Sequence, residues 1–264
     1  MPQTLRAPIA GRAAPQGVKV VIPAKKLAHA DRIPQSDLRF ARDLIRKRKA
    51  ALSIRRSTVD DLPTILHLID EAKGWLESKD TDQWSTDWLD KDGRSRSDRV
   101  ECSLKEEKTW LACFNFRGSP EIPVATVTIE RTVNTDIWTQ PEKIAERAVY
   151  LSRLVTARNF SGLQIGNALI DWACDHAARE YAAEWIRIDV WTHNRALHRY
   201  YRQRGFASCG LCPDKNYPSR ARFQRPASMR TKDKPLLIER SSTLRQPIKS
   251  RVGIHGYRLT SVYC

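Results

Sequence analysis

The chain has 264 residues, of which 41% are apolar, and is long enough to bury the core of one or two domains. Its formal net charge of +16 is concentrated at the two ends: residues 1–50 contain 12 Lys and Arg against 3 Asp and Glu, and residues 228–264 contain 8 against 2. The nearly neutral centre argues against a nucleic-acid-binding core and predicts basic terminal extensions.

Several classes of protein are not indicated by the sequence. It has no apolar run of about 18 residues, so no membrane span is predicted. The first residues are interrupted by Pro, Gly and Arg and do not resemble a secretory signal. Cys209 and Cys212 form the only close cysteine pair, and further ligands at zinc spacing are missing. We therefore expect no metal, no disulfide framework and a location in the reducing cytoplasm.

The sequence of the first half of the chain predicts a disordered arm followed by a strand and two helices. We expect residues 1–50 to be mostly disordered, with one short helix over 38–44. A strand is expected over 52–56. The next helix begins near Asp60, because acids and an early proline suit a first turn, and apolar residues at helical spacing continue it to Leu76. A second helix is expected over 82–91.

The second half predicts most of a sheet. Strands are expected where β-branched and aromatic residues concentrate, over 109–116, 124–130, 148–156, 186–191, 206–211 and 221–224. Helices are expected over 166–181 and 194–204. This order predicts one α/β domain over residues 51–227, built on a mixed sheet of about six to seven strands with about four helices.

Two glycines four residues apart, Gly162 and Gly166, separate a strand from a helix. The first N–H groups of a helix lack partners and carry partial positive charge, so this is a predicted site for an anion. A Walker loop would need Gly-Lys-Ser/Thr where the chain has Gly166-Asn167-Ala168, and a dinucleotide loop would need a third glycine on the first strand. Coenzyme A is the pyrophosphate carrier that remains.

The run from Leu154 to Gly166 resembles the acetyl-CoA signature of the GNAT family of N-acetyltransferases, in which an apolar strand leads into a glycine loop at the head of a helix. A second run, from Asn194 to Phe206, is similar to the family's Asn-to-Gly-Phe element. Together they place the resemblance over about residues 52–226. The resemblance implies the GNAT fold and activity, and points to bacterial members that act on small substrates.

Two positions depart from the family's pattern. Ser161 stands where the family usually has Arg or Gln, which removes a side-chain donor to phosphate. Gln164 stands where the middle glycine is usual, so a side chain occupies the place where backbone approaches the pyrophosphate. Both changes predict weaker cofactor binding or a domain that has lost activity.

The resemblance also implies roles for individual residues. The backbone of Leu154, Val155 and Thr156 would bind the pantetheine arm of acetyl-CoA as an added strand would. The pyrophosphate would be bound by the loop residues Ser161, Gly162, Leu163, Gln164, Ile165, Gly166 and Asn167. Asn194 would contact the cofactor, although an N-cap is the commoner use of Asn there. Tyr201 would be the general acid, the alternative being a packing residue.

The base and the acceptor site are less well defined by the sequence. Glu130 and Asp189 are candidate bases, and each could equally be a structural ion-pair partner. The fourth strand carries Arg153 rather than a carboxylate. Trp75 and Trp84 lie near acids and would suit a cationic amine through cation–π contact, although core packing is the commoner role of such residues.

The sequence thus predicts an acyl-CoA-dependent N-acyltransferase (EC 2.3.1 type) that moves an acetyl group from acetyl-CoA to a primary amine by direct attack in a ternary complex. The acceptor is left open between a small-molecule amine and a protein amine, and a homodimer is also left open. The alternatives are a non-catalytic CoA-binding sensor and a nucleic-acid-binding protein that uses its basic ends. The predicted boundaries are a basic extension over 1–50, the enzyme domain over 51–227 and a basic tail over 228–264.

Overall fold

The computed structural model describes residues 33–47, 49–50, 52–84, 92–115, 121–228 and 236–240. The strands are β1 (Leu52–Arg56), β2 (Thr109–Phe114), β3 (Ile122–Glu130), β4 (Ala148–Thr156), β5 (Trp185–Val190), β6 (Ala207–Leu211), β7 (Ala221–Pro226) and β8 (Leu237–Glu239). The helices are α1 (Gln35–Arg46), α2 (Leu62–Glu77), α3 (Arg96–Lys105), α4 (Pro141–Ala145), α5 (Ile165–Tyr181) and α6 (Arg195–Arg202).

All eight described strands form one sheet in the order β6-β7-β5-β4-β3-β2-β1-β8. The β4–β5 and β1–β8 pairs are parallel and the other neighbours are antiparallel. The predicted mixed α/β class is therefore confirmed. The described residues contain eight strands and six α-helices, more than the six to seven strands and about four helices that were expected.

The helix predicted over residues 82–91 is not seen in its described part, because Gln83 and Trp84 form a turn, and residues 85–91 lie outside the described residues. The helix that follows is instead α3. Its start is fixed by a capping box in which the Ser95 side chain accepts from the Asp98 N–H and the Asp98 carboxylate accepts from the Ser95 N–H at 2.9 Å. This Ser-x-x-Asp pattern was the local signal for α3.

Residues 33–47 are more ordered than the sequence suggested. The helix expected over 38–44 extends over the whole of α1, and it buries Leu38, Ala41 and Ile45 against the main core. These residues recur at three- and four-residue spacing, so they form one apolar stripe. The rest of the predicted disordered arm, residues 1–32, lies outside the described residues.

The sheet also extends into the segment predicted as a basic tail. Strand β8 pairs with β1 in the register Leu52 to Leu237, and Glu239 accepts from Arg179 on α5 at 3.0 Å. Helix α1 and strand β8 thus contribute to the same core as the described part of residues 52–227. The domain boundaries drawn from charge remain a prediction.

The parallel pair β4–β5 separates part-way along its length. Pairing runs from Ala148 opposite Trp185 to Tyr150 opposite Arg187 and stops there, although β4 continues to pair with β3 as far as Thr156. A bulge in β4 opposite Val127 adds one residue, and Arg153 in that bulge has a left-handed φ of 49°. Residues 151–156 therefore have a strand partner on one side only.

Helices α2 and α5 both contact β3 and β4, and α3 contacts α2. They bury the apolar faces of the sheet in one large cluster centred on β2, β3, β4 and α5. None of the described helices combines the length and hydropathy that crossing a bilayer requires.

We expect β8 to contribute to stability through Leu237, which is 6% exposed, whereas its neighbour Ile238 is 58% exposed. Leu237→Ala should lower the free energy of unfolding by about 2–5 kcal/mol, because it removes buried methyl groups and leaves a cavity. Ile238→Ala, on the other face of the same strand, should change it by less than about 0.5 kcal/mol. Urea denaturation measures both, and equal losses would contradict the docking of β8.

Candidate functional site

A cavity of about 600 Å³ opens where β4 and β5 separate. Its walls come from the second half of β4, the end of β5, α6, the C-terminal turns of α2, and α3. The residues that line it from β4, β5 and the position just after β5 are Leu151, Ser152, Arg153, Leu154, Val155, Thr156, Ile188, Asp189, Val190 and Trp191. Since no strand pairs with residues 151–156 on the β5 side, backbone groups of β4 are available to an extended ligand there.

The glycine loop lies beside this cavity and leads into α5. Gln164 is the N-cap residue with a left-handed φ of 60°, and Gly162 before it has φ of 80°. The first helical bond runs from the Ala168 N–H to the Gln164 carbonyl at 3.0 Å, so the N–H groups of residues 165–167 have no intrahelical acceptor. The loop thus presents the donors of a helix N-terminus, with the partial positive charge of its dipole.

The left-handed N-cap explains what Gln164 does in place of a glycine. A glycine adopts this φ without steric cost, whereas a residue with a Cβ is strained there by about 1–3 kcal/mol. The Gln164 side-chain oxygen accepts a hydrogen bond from the Asn167 side-chain amide, which holds the residue in this conformation. Ser161, the other departure from the family's pattern, is exposed at the start of the loop.

Gly166 is the point where the loop meets the cavity wall. A Cβ placed on Gly166 would lie 2.5 Å from the Tyr200 hydroxyl, so this position admits only glycine unless Tyr200 moves. Arg204 lies over the Tyr200 ring at 3.4 Å and donates to the Asn167 side-chain oxygen. Tyr200 and Arg204 therefore tie α6 to the start of α5, and sequence reasoning did not assign Arg204 to the site.

Asp189 lies on β5 in the wall of the cavity and is held by a tyrosine. The Tyr217 hydroxyl donates to Asp189 Oδ2 at 2.6 Å. Burial raises the pKa of Asp189 above its usual value of 3.8, and the bond from Tyr217 partly opposes that rise. Burial also raises the pKa of Tyr217, with the Asp189 charge adding to it, so the phenol stays protonated and remains the donor.

The other candidate base, Glu130, lies away from this cavity. Its carboxylate pairs with Lys108 Nζ at 2.6 Å and accepts from the backbone N–H groups of Arg131 and Thr132. It is not among the described residues that line the cavity. The structure therefore gives Glu130 a structural ion pair and brings only Asp189, of the two, into the cavity wall.

Tyr201 lines the cavity from α6 and is 8% exposed. Its ring packs edge-on against Tyr200 and Phe206, both with ring centroids 5.3 Å away. Burial raises the pKa of Tyr201 well above the ordinary value of a phenol. Its hydroxyl makes no hydrogen bond to another described residue, so it is protonated and available to a ligand at neutral pH.

Asn194 serves as the N-cap of α6, since its Oδ1 accepts from the Leu197 N–H at 2.9 Å. Its Nδ2 donates to Gln83 Oε1 at 2.7 Å, and Trp191 Nε1 donates to Asp82 at 2.7 Å. These two bonds fasten the turn after α2 to the end of β5 and the start of α6. Asn194 also lines the cavity, so the residue that caps α6 is also placed to contact a ligand.

Both predicted acceptor-site tryptophans, Trp75 and Trp84, line the cavity. The face of Trp75 is already covered, because the guanidinium of Arg158 lies 4.0 Å from the centre of its ring. The charged residues that line the cavity are four arginines and one carboxylate, Arg96, Arg99, Arg153, Arg158 and Asp189. The acid-rich surroundings expected for these tryptophans are therefore not the environment found along the described wall.

The predicted site residues other than Glu130 fall into two groups. The cavity is lined by Trp75, Trp84, Leu154, Val155, Thr156, Asp189, Asn194 and Tyr201. The loop from Ser161 to Asn167 lies next to it and contacts it through Gly166 and Tyr200. Sequence reasoning missed the lining residues Gln83, Arg158 and Tyr217. Gln83 and Tyr217 lie in connections that carried no motif, whereas Arg158 lies within the run that resembles the acetyl-CoA signature but was given no role.

No three potential metal ligands lie together within the part of the chain that the structure describes.

Comparison with known proteins identifies relatives of the chain. Residues 69–206 match the model of the acetyltransferase (GNAT) family. The uncharacterized N-acetyltransferase YesJ of Bacillus subtilis (strain 168) is 23% identical over 151 residues, which span 57% of this chain and 79% of YesJ.

Two solved structures show the same fold. A GNAT-family acetyltransferase from Listeria monocytogenes 4b F2365 superposes with a TM-score of 0.51 and 24% identity, covering 66% of this chain and 94% of the other. One from Streptococcus agalactiae 2603 superposes with a TM-score of 0.52 and 16% identity, covering 66% and 95%.

We expect Tyr217→Phe to raise the pKa of Asp189 further, because the lost hydrogen bond stabilises the ionised carboxylate. Carbon-13 NMR titration of labelled aspartate carboxyls measures this, with Asp189→Asn to assign the resonance. Tyr181→Phe is the matched control, since the Tyr181 hydroxyl faces His176 at 3.4 Å and lies outside the cavity lining. An unchanged Asp189 titration in Tyr217→Phe would contradict the pairing.

Proposed function

Because this chain belongs to the GNAT acetyltransferase family, we propose that it transfers an acetyl group from acetyl-CoA to a primary amine by direct attack in a ternary complex. One observation carries the proposal. The unpaired edge of β4, a half-buried carboxylate on β5 and a partner-free phenol on α6 converge on one cavity, next to the N-terminus of α5.

The residues present fit acetyl-CoA. The β4 edge at residues 151–156 supplies backbone groups for the amides of the pantetheine arm, as an added strand would use them. The N–H groups of residues 162–167 suit a pyrophosphate, and the helix dipole adds attraction. Arg204, fixed on Asn167 at the same helix start, adds a nearby positive charge. Asn194 remains a candidate contact through its place in the lining.

We assign the role of base to Asp189. An amine is largely an ammonium ion at neutral pH and must lose a proton before it can attack. A carboxylate whose pKa is raised by burial is a better proton acceptor than an exposed one, and its value moves toward the working pH. The hydrogen bond from Tyr217 fixes the direction in which the carboxylate points.

Tyr201 is the group we assign to the leaving sulfur. As the carbon–sulfur bond breaks, negative charge develops on the thiolate and a donor near it is stabilising. Since burial raises the pKa of Tyr201, its phenol stays protonated and serves as a hydrogen-bond donor. The thiolate leaves with this hydrogen bond and takes its proton from solvent, because a phenol with so high a pKa is a weaker acid than an alkyl thiol.

Direct transfer is favoured over a covalent acyl-enzyme. None of the described residues that line the cavity is a cysteine. Burial raises the pKa of Cys113 and of Cys174 to about 12, which keeps both thiols protonated and poorly nucleophilic at neutral pH. The amine and acetyl-CoA must then be bound together, with Asp189 accepting the ammonium proton and Tyr201 facing the sulfur.

We expect Gly162→Val to weaken acetyl-CoA binding at least about tenfold, or about 1.4 kcal/mol, because a branched side chain at φ of 80° would shift the loop. Gly210→Val is the matched control. Gly210 is also an exposed glycine, with φ of 77°, but it lies on β6 away from the cavity. Isothermal titration measures both, and equal affinities in folded proteins would argue against the loop as the pyrophosphate site.

We expect Tyr201→Phe to lower kcat by about 10²–10⁴-fold, because it removes the donor to the leaving sulfur, while the Kd for acetyl-CoA stays nearly constant. Thiol release over a panel of primary amines measures kcat, and Tyr181→Phe is the control outside the cavity. Tyr200→Phe is unsuitable as a control, because the Tyr200 hydroxyl abuts Gly166.

The same panel of primary amines distinguishes an acetyltransferase from a non-catalytic CoA-binding sensor. Thiol release that depends on the amine supports the transferase, whereas tight acetyl-CoA binding without transfer to any amine would indicate a CoA-binding sensor. Full kcat in Tyr201→Phe would instead remove Tyr201 from the mechanism and leave the transferase in place.

A further inference from the structure

Arg153 is a charged residue in the cavity wall that the mechanism above does not use. It occupies the bulge of β4, where its left-handed φ of 49° departs from strand geometry. Its Nε donates to Thr128 Oγ1 at 3.1 Å and its Nη2 donates to Ser103 Oγ. Both partners are neutral hydroxyls, and its Nη1 bonds to no described residue.

The environment of Arg153 disfavours its charge. Burial lowers its pKa to about 10, with the nearby charge of Arg99 lowering it further and Glu130 opposing this. Glu130 is itself neutralised by Lys108 at 2.6 Å. Arg153 is still protonated at neutral pH, so the cavity wall contains a half-buried cation without a salt bridge to a described carboxylate. Such a group binds an anion strongly, because the anion restores the interaction that burial removed.

The neighbouring charges have the same sign. Arg96 and Arg99 on α3 line the same cavity, and the only carboxylate among the described lining residues is Asp189 on β5. An acceptor with a carboxylate beside its amine would find a complementary charge for each group, on adjacent strands of the separated pair.

We propose that the acceptor is a small primary amine that carries a carboxylate, such as an amino acid, and that Arg153 binds the carboxylate while Asp189 faces the amine. This inference rests on the proposed acetyltransferase function. The cavity volume of about 600 Å³ must hold the acetyl end of the co-substrate as well, which leaves room for a small molecule. The bulge of β4 contains Arg153, which lines the cavity while its guanidinium donates to Ser103 and Thr128.

Matched acceptors test the charge requirement directly. Thiol release from acetyl-CoA is measured with each common amino acid and with its carboxamide, which keeps the amine and the side chain but lacks the negative charge. For the best acceptors we expect kcat/KM for the acid to exceed that for the amide by about 10²-fold. The α-amine of an amide is less basic and more often uncharged, so a preference for the acid does not arise from amine basicity.

The second arm changes the protein. In Arg153→Gln the ratio of kcat/KM for the acid to kcat/KM for the amide should fall to within about threefold of unity, mainly through a higher KM for the acid. Arg153→Lys, which keeps the charge, should retain part of the preference. Arg147→Gln is the control, because it removes an exposed arginine, paired with Glu184 at 2.6 Å, just before β4.

The results distinguish a failure of the proposed carboxylate site from a failure of the proposed acetyltransferase function. Amides that react as well as acids, or an acid preference that persists in folded Arg153→Gln, would overturn the carboxylate site and leave the acetyltransferase intact. Acetyl-CoA binding without transfer to any amine would overturn the proposed function and this inference with it. Should Arg153→Gln fail to fold, the ratio measured on the wild-type protein decides alone.

Discussion

The structure depends on the point where β4 and β5 stop pairing. Backbone groups in a sheet interior normally pair on both sides, yet beyond Tyr150 and Arg187 the two parallel strands separate while each keeps its other neighbour. The sheet therefore continues on either side of the cavity, which opens between β4 and β5. The extra residue in the β4 bulge helps to maintain this separation, since it changes the direction of β4 without breaking its pairing with β3.

Burial at this opening shifts the pKa values of the lining residues away from the values that the same residue types have in water. It raises the pKa of Asp189, Tyr201 and Tyr217, so a carboxylate becomes more basic and two phenols remain protonated. It also lowers the pKa of Arg153 to about 10. One low-dielectric cavity thus shifts acids and bases in the directions that disfavour charge, and a charged substrate would compensate for part of that cost.

The walls are joined by contacts that connect distant parts of the chain. Gln83 and Asp82 fasten the turn after α2 to Asn194 and Trp191, while Arg158 stacks on Trp75 in the cavity lining. These contacts link the side we assign to the acceptor with the side we assign to the co-substrate. Arginine is well suited to such places, because its planar guanidinium stacks on aromatic rings and donates in several directions.

The sequence by itself determined the α/β class, most strand positions and the family, because periodicity, the Gly162–Gly166 loop and the run ending at Phe206 are local patterns. It missed α3, whose signal was the short Ser95–Asp98 box, and β8, whose three residues pair only through tertiary contact with β1. The choice between Glu130 and Asp189 could not be made from sequence, since both are acids on strands. Only the tertiary structure decided that Asp189 faces the cavity, because strand order and separation bring together residues far apart in the chain.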